Sequence, residues 1–556
     1  MKSRKEIIFD TLFGSIFLTN LVSIVVLVFM VLNKNYESIL PTIGNFGVLE
    51  FALIIITAVA WLIIDTSSSN LFDDEHEKFK KMTLLSRENL YNVRKKIGVL
   101  CTYEKLYIVV TITSVISLII GIMNFAIKTD FMTGGFGLIT LGLIGSVIII
   151  LKSLYIKLES PNEVTINREE YPQLFKVIDS AIEMTKAPKL DEICILDDEN
   201  IGVTCLLNGF GANGKNVLVI GIKALKVLNE EELKAAIIHE LAHIYNEDTK
   251  VSSEISRRLT RWNEIVYRVD EGDNIIKMIL LLPFAKFYIE KLERYLDAMS
   301  QTEELLADKE VAKYMSVGIY AKATMKLEIM EEFLANPYSK LEIRSSDEAP
   351  KNYFTTLFED FESELPNRKE QWMNQIKKRI SSIYDTHPSF KERMEALGIE
   401  DFNYDINFND QSDDYKKEID TLIEIKNKQW HKHWSDQWEG VTKEYKEQLE
   451  VIKNYKDTDD IEKIMEYGEA LEDLGEYKKA LDFYKDIASK DKECAIAMYK
   501  VGQIMLMDND EEGIEFIEKS VELDGSFFIS AMEIITEYFL DNGMKEKIDE
   551  MYEGAN

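Results

Sequence analysis

The stretch Ile237-Ile238-His239-Glu240-Leu241-Ala242-His243-Ile244 holds the residue types with the most chemical capacity in the chain. It reads H-E-x-x-H, the spacing at which two histidines on a helix hold zinc and the glutamate between them works as a base. At 3.6 residues per turn, positions 239 and 243 lie about 40° apart on one face, so both imidazoles reach one ion. Glu240 projects beside them, where it can reach a water at that ion. With 6 histidines in 556 residues, a chance match to this pattern is the weaker explanation. Two histidines and a base leave the site open, and a third protein ligand is needed. The best candidate lies 61 residues after His243, in Ser300-Gln301-Thr302-Glu303-Glu304-Leu305-Leu306-Ala307-Asp308. On a helix Glu304, Ala307, Asp308 and Val311 share one face. Glu304 can then take the metal, while Asp308, one turn on, hydrogen-bonds a ligand histidine. Ala307 is small enough to let two helices approach. Glu303 points away on this spacing. Acidic residues are common on exposed helix faces, so spacing favours Glu304 without deciding it.

Elements that can position these groups are legible nearby. Asn229 is a candidate N-cap with Glu232 three residues on, a capping box. Leu233, Ile237, Leu241 and Ile244 form an apolar stripe that buries the helix and fixes the histidines. Upstream, Tyr171–Met184 reads as a helix opened by Pro172. Glu192–Leu196 and Asn216–Ile220 read as strands, the second after a Gly-rich turn at Asn208–Gly214.

The formal charge of −32 is unevenly spread. Through Lys157 there are 15 basic and 12 acidic residues; beyond it, 50 and 85. So acidic a soluble part argues against nucleic acid as a partner. Cys101, Cys194, Cys205 and Cys494 are scattered without a C-x-x-C pair. This fits a reducing compartment and excludes a cysteine-based zinc site. Four apolar runs, Leu12–Leu32, Gly47–Ile64, Leu106–Ile127 and Phe136–Ile156, each approach the ~20 residues that span a hydrocarbon core. The first lacks a small-residue cleavage site and reads as an anchor. Lys2, Arg4 and Lys5 precede it, and the loop after the second run carries eight basic residues from Lys78 to Lys105. By the positive-inside rule the N-terminus, that loop and everything after Lys157 are cytoplasmic. Ile275–Ile289, interrupted by Pro283 and Lys286, is short for a span and reads as a buried or interfacial helix, with a membrane-dipping segment as the alternative.

Four blocks together carry a resemblance: E-Y-P-x-L-F at Glu170–Phe175, H-E-L-A-H, S-x-x-x-E-x-x-A-D at Ser300–Asp308, and T-H-P-S-F-x-x-R at Thr386–Arg393. Their order and spacing over roughly Glu159–Gly398 resemble the membrane zinc metallopeptidase family of the HtpX heat-shock protease and the CAAX prenyl endopeptidase. The resemblance implies a mainly α (α+β) glutamate-zincin fold. It implies one zinc per chain on His239, His243 and Glu304, with Glu240 as general base. It also implies that His387 and Arg393 sit beside the metal and stabilise the oxyanion; a core histidine is the alternative for His387. Two departures stand out. Gln301 replaces the family's usual arginine, and Gly202-Val203-Thr204 replaces the usual Asn-Ala pair on the substrate-side strand. The second bears on recognition of substrate backbone, not on the metal. In the expected reaction zinc acidifies a water to a pKa of about 7. Glu240 takes its proton as it attacks a peptide carbonyl, then passes that proton to the leaving amine. The substrate is expected to lie extended along Asn216–Ile220, read as an edge strand.

Beyond Gly398 a polar linker (Glu400–Asp414) leads into a long charged helix with Trp430, Trp434 and Trp438 at i, i+4 and i+8. The stripe reads as packing against a neighbouring domain, with a membrane-interface face as the alternative. His431 and His433 have no further metal-ligating partners and read as surface residues. Gly468, Gly502 and Thr536 recur every 34 residues, and Gly475, Tyr477, Ala480 and Tyr484 match tetratricopeptide offsets. Gly513 takes the Ala480 role one residue early, and a partial third unit surrounds Gly543. The expected organisation is a four-helix membrane domain (1–157), a metalloprotease domain (158–400), a helical linker (401–458) and all-α tetratricopeptide-like repeats (459–556). The expected function is a multi-pass, bilayer-anchored zinc endopeptidase facing the cytosol, acting on membrane or misfolded proteins, with an adaptor or substrate on the repeats. The rivals are a specific processing protease, CAAX-type or signalling, and a non-catalytic scaffold.

Overall fold

The computed structural model describes residues 87–128, 164–209, 213–245, 250–270, 281–335, 348–382, 385 and 387–554, less 457 and 459, with scattered positions before 87 and from 141 to 157. It divides into two compact units. One comprises Met1–Ser160, Thr204–Val217 and His243–Glu304; the other comprises Pro161–Val203, Leu218–Ala242 and Leu305–Asn556.

In the first unit the dominant element is α1 (Arg87–Lys128). Its Lys95–Phe125 portion is the one helix among the described residues long and apolar enough to cross a membrane. Val99, Val109, Ile116, Met123, Phe125 and Ile127 are exposed along it. The expected spans Leu12–Leu32, Gly47–Ile64 and Phe136–Ile156 lie mostly outside the described residues. Where a fragment is seen, packing is tight: a Cβ on Gly44 would come within 2.3 Å of Gly121 Cα, the approach that small residues permit between membrane helices. Glu104 sits at the start of the apolar stretch of α1. A buried carboxylate there demands partners. Trp262 Nε1 donates to it at 2.9 Å and Tyr288 Oη at 3.1 Å, and Arg258 pairs with it. Arg258 and Trp262 lie on α5 (Lys250–Asp270) and Tyr288 on α6 (Leu282–Tyr314), so one acid ties three helices together. Tyr107 stacks on Phe284 at 4.0 Å within the same core. Residues 281–289, the described part of the Ile275–Ile289 run, open α6 and contribute Leu281, Phe284, Ala285 and Tyr288 to that core.

A five-stranded sheet has the order β1-β4-β5-β3-β2. The strands are β1 (Ile156–Lys157), β2 (Val164–Thr165), β3 (Glu192–Leu196), β4 (Ile201–Gly209) and β5 (Asn213–Gly221). β1 meets β4 antiparallel only at Gly209 and Asn208, and β2 meets β3 at Ile195 and Cys194. The order corrects the expectation of an edge strand at Asn216–Ile220. β5 lies between β4 and β3, and its Val217, Leu218 and Ile220 are fully buried. The physical reason is in the composition: a continuous apolar run belongs to a strand covered on both faces, whereas an edge strand with one wet face alternates.

In the second unit α2 (Pro172–Thr185) begins with proline at its first position, as expected. Its first amides are satisfied from far along the chain, by Glu418 Oε1 and Oε2 accepting from Gln173 N at 2.9 Å and Leu174 N at 3.0 Å. A carboxylate at a helix N-terminus is favoured by the helix dipole. After β5 come α3 (Ile222–Val227), α4 (Glu230–Tyr245), α6, α7 (Val317–Ala335), α8 (Tyr353–Lys378) and α9 (Phe390–Ala396). Glu418 belongs to α10 (Asp413–Ser435), whose Tyr415 is fully buried and whose Lys426 reaches Asp197 at 2.5 Å. The first half of the expected linker therefore packs as an integral part of this unit. The long charged helix is broken at Asp436–Gln437, with α11 (Trp438–Asn454) following. Trp430 stacks flat on Tyr353 at 4.2 Å and Trp438 is buried, so the tryptophan stripe is packing.

Six helices close the chain: α12 (Ile461–Asp473), α13 (Tyr477–Lys490), α14 (Ala495–Met507), α15 (Gly513–Leu523), α16 (Phe528–Asp541) and α17 (Lys545–Gly554). The 34-residue period has a packing basis. A Cβ on Gly468 would meet the Tyr484 ring at 2.5 Å, and one on Gly502 would meet Ile517 at 2.6 Å. The second pair repeats the first, one residue early on the second helix. Gly468→Val is expected to destabilise this region by about 1–3 kcal/mol or more through overpacking, read as earlier trypsin cleavage within 459–556.

Candidate metal centre

Helix α4 starts as its sequence requires. Asn229 Oδ1 accepts from Glu231 N at 3.1 Å and Glu232 N at 2.9 Å, and Glu232 Oε2 accepts from Asn229 N at 3.0 Å. That capping box is locked further by Lys326, fully buried, whose Nζ lies 2.6 Å from Glu232 Oε2 and 3.0 Å from Asp410 Oδ1. Leu233, Ile237 and Leu241 are fully buried, and so are Ala235, Ile238 and Ala242. The helix is thus gripped around most of its circumference, wider than the stripe expected. α6 presents Glu304, Ala307, Asp308 and Val311 as a buried face.

Ligand atoms of His239, His243 and Glu304 all lie within 4.8 Å of one another. His243 Nε2 is 3.3 Å from Glu304 Oε1. Glu303, expected to point away, is buried too, but the carboxylate that joins the histidines is that of Glu304. Glu240 Oε1 stands 4.0 Å from His239 Nε2 on a side chain that is 22% exposed, so solvent reaches it. Two imidazoles and a carboxylate, all O and N donors in a tight group, suit zinc, and the donor set leaves a position for water.

His239 is held from its other nitrogen. Its Nδ1 is 3.1 Å from Asp308 Oδ1 and 2.8 Å from the Tyr320 hydroxyl. Asp308, fully buried, receives Arg393 Nε at 3.0 Å and Nη2 at 2.8 Å. Burial alone would raise the Asp308 carboxyl; the Arg393 guanidinium and the hydrogen bonds from His239 and Arg393 outweigh it and hold the carboxyl well below the usual range. Asp308 is therefore anionic, an acceptor for the Nδ1–H of His239. Arg393 departs from the expected oxyanion donor: two of its nitrogens are committed to Asp308, on the side of His239 away from Nε2. An arginine beside an otherwise uncompensated buried carboxylate goes there first, because the bidentate pair is the strong one. His387 is exposed. Tyr320 is the residue the motifs missed. It opens α7 and no spacing rule connects it to Asp308 or Arg393.

Residues 170–400 match the family model described as peptidase family M48. That segment, which holds His239, His243, Glu304 and Arg393, matches as a metallopeptidase domain of this kind. The chain is also 25% identical to a "Protease HtpX homolog" of Streptococcus equi subsp. zooepidemicus over 275 residues, 44% of this chain and 78% of that protein. A homologue of the same name from Pyrococcus furiosus is 27% identical over 252 residues, covering 42% and 76%. One from Dictyoglomus turgidum is 24% identical over 280 residues, covering 46% and 81%.

Further along α7 of the M48 domain, burial and the nearby Glu331 push Glu328 up to about 7, against the pull of Arg393 and Arg379. The folded state then holds a proton that the unfolded chain releases above its ordinary 4.5. Stability from this group is complete below about pH 4.5 and is lost as pH rises through 7. Glu328→Gln is expected to be near neutral at pH 5 and to stabilise by about 3 kcal/mol at pH 8; urea midpoints at the two pH values check it.

Proposed function

We propose that this M48 metallopeptidase is a membrane-anchored zinc endopeptidase with its catalytic centre on the cytosolic side. His239, His243 and Glu304 hold one zinc per chain, which supplies Lewis acidity to the reaction when bound. The observation that carries this is the convergence of these three side chains with Glu240 at their rim. Glu240 takes the proton of the attacking water and delivers it to the departing amine. Asp308 and Arg393 keep His239 in its ligand tautomer. His387, which is exposed, donates to the developing oxyanion.

The substrate lies extended on the outer side of β4, which β1 pairs only at Asn208 and Gly209 among the described residues. Backbone pairing of that kind is nearly blind to sequence and suits membrane or misfolded proteins. Anchoring rests on α1 and on the apolar runs of the N-terminal 157 residues, and orientation on their basic loops. The six C-terminal helices, tetratricopeptide-like in period and in their Gly468 and Gly502 contacts, recruit an adaptor or substrate.

The test is cleavage of an unfolded protein by the detergent-purified chain, before and after zinc chelation and with zinc restored. Cleavage that stops on chelation and returns with zinc supports the reading. Cleavage indifferent to chelation would sink it.

A further inference from the structure

The Tyr320 hydroxyl occupies a position that the metal ligands and the acid–base pair do not account for. Its side chain is buried at the start of α7, and three groups from three other elements converge on one oxygen. It donates to Asp308 Oδ1 at 2.5 Å and accepts from Arg393 Nη2. It lies 2.8 Å from His239 Nδ1, with the two rings 5.6 Å apart and inclined by 20°.

Proton counting fixes the roles. A phenol carries one proton, and Asp308, anionic against Arg393, can only accept. The tyrosine proton therefore goes to Asp308, and toward His239 the hydroxyl can only accept. The Nδ1 of His239 must then carry hydrogen, shared between Asp308 and Tyr320, and Nε2 is the ligand atom. Asp308 alone, at 3.1 Å from Nδ1, could let the ring rotate about its Cβ–Cγ bond. A second acceptor at a different angle removes that freedom.

We infer that Tyr320 is a positioning residue for the metal ligand His239, fixing its tautomer and ring direction through a hydroxyl wedged between Asp308 and Arg393. The inference rests on the reading of His239 as a zinc ligand. Ordering of a ligand by its outer partners is worth on the order of 10–100-fold in metal affinity. The effect belongs to the hydroxyl, not to the ring, so removal of a single oxygen reveals it.

The experiment compares the full chain in detergent with Tyr320→Phe. Three quantities are read: zinc dissociation constant by chelator competition, melting temperature of the zinc-free protein, and kcat and KM on an unfolded substrate at saturating zinc. The expected result is zinc bound on the order of ten-fold more weakly, a lower kcat and an unchanged KM. The zinc-free melting temperature should fall by no more than about 4 °C. A merely structural tyrosine would lower the melting temperature and leave zinc affinity and kcat of the folded fraction alone. Native zinc affinity and native kcat in Tyr320→Phe overturn the assignment. Should that variant unfold, 3-fluorotyrosine at 320 keeps the ring and weakens the hydroxyl as an acceptor. Its zinc affinity is expected to fall in the same direction, and native affinity there overturns the inference equally. A native chain that takes up no zinc contradicts the metal reading itself, which separates that failure from an indifferent Tyr320→Phe in a protein that loads normally.

Discussion

Glu240→Gln is expected to lower kcat roughly 10²–10⁴-fold, the range general acid–base catalysis supplies, while leaving zinc content and KM unchanged. The substitution keeps the shape of a side chain whose Oε1 lies 4.0 Å from His239 Nε2. It removes the one property the reaction needs, a carboxylate able to take a proton from water. Because Glu240 is outside the group of three that converge on the metal position, the site should still load. Because its proposed partner is water and not the substrate backbone, binding should survive. A variant with full activity would remove Glu240 from the mechanism, and a variant that lost zinc would make it a ligand instead.

Asp308→Asn should produce the largest loss of stability, about 3–5 kcal/mol, because it strands the buried Arg393 charge. Asp308 is fully buried and Arg393 nearly so, and two nitrogens of the guanidinium end on that carboxylate. Zinc affinity should fall on the order of 10–100-fold at the same time, since His239 loses its anionic partner. The two effects separate in the double variant Asp308→Asn with Arg393→Met. There the stranded charge is gone, so urea unfolding should recover much of the stability, whereas chelator competition should still report weak zinc. Equal recovery of both would mean that Asp308 serves the fold alone.

What the sequence made legible here is local. His239, Glu240 and His243 are read from one helical turn and its neighbours, and the Asn229–Glu232 capping box is a four-residue signal. Glu304 and Asp308 share a face by the same periodicity. What was hidden is long-range. Glu418 caps α2 from some 245 residues away, and Lys326 reaches Glu232 and Asp410 across 94 and 84 residues. Nothing in the spacing of Tyr320 or Arg393 announces that both end on Asp308, because sheet order and helix docking set those contacts. The strand at Val217–Ile220 shows the same limit in reverse. Its uninterrupted apolar run already carried the sign of a central strand, and reading it as an edge put topology where composition had the better evidence.

The most direct test of the account is metal content, measured on zinc-replete, detergent-purified protein for the native chain, Glu240→Gln, His243→Ala and Glu304→Ala. The account predicts one zinc per chain in the first two and none in the last two. A native chain without zinc, or a Glu304→Ala chain that still holds one, would contradict it.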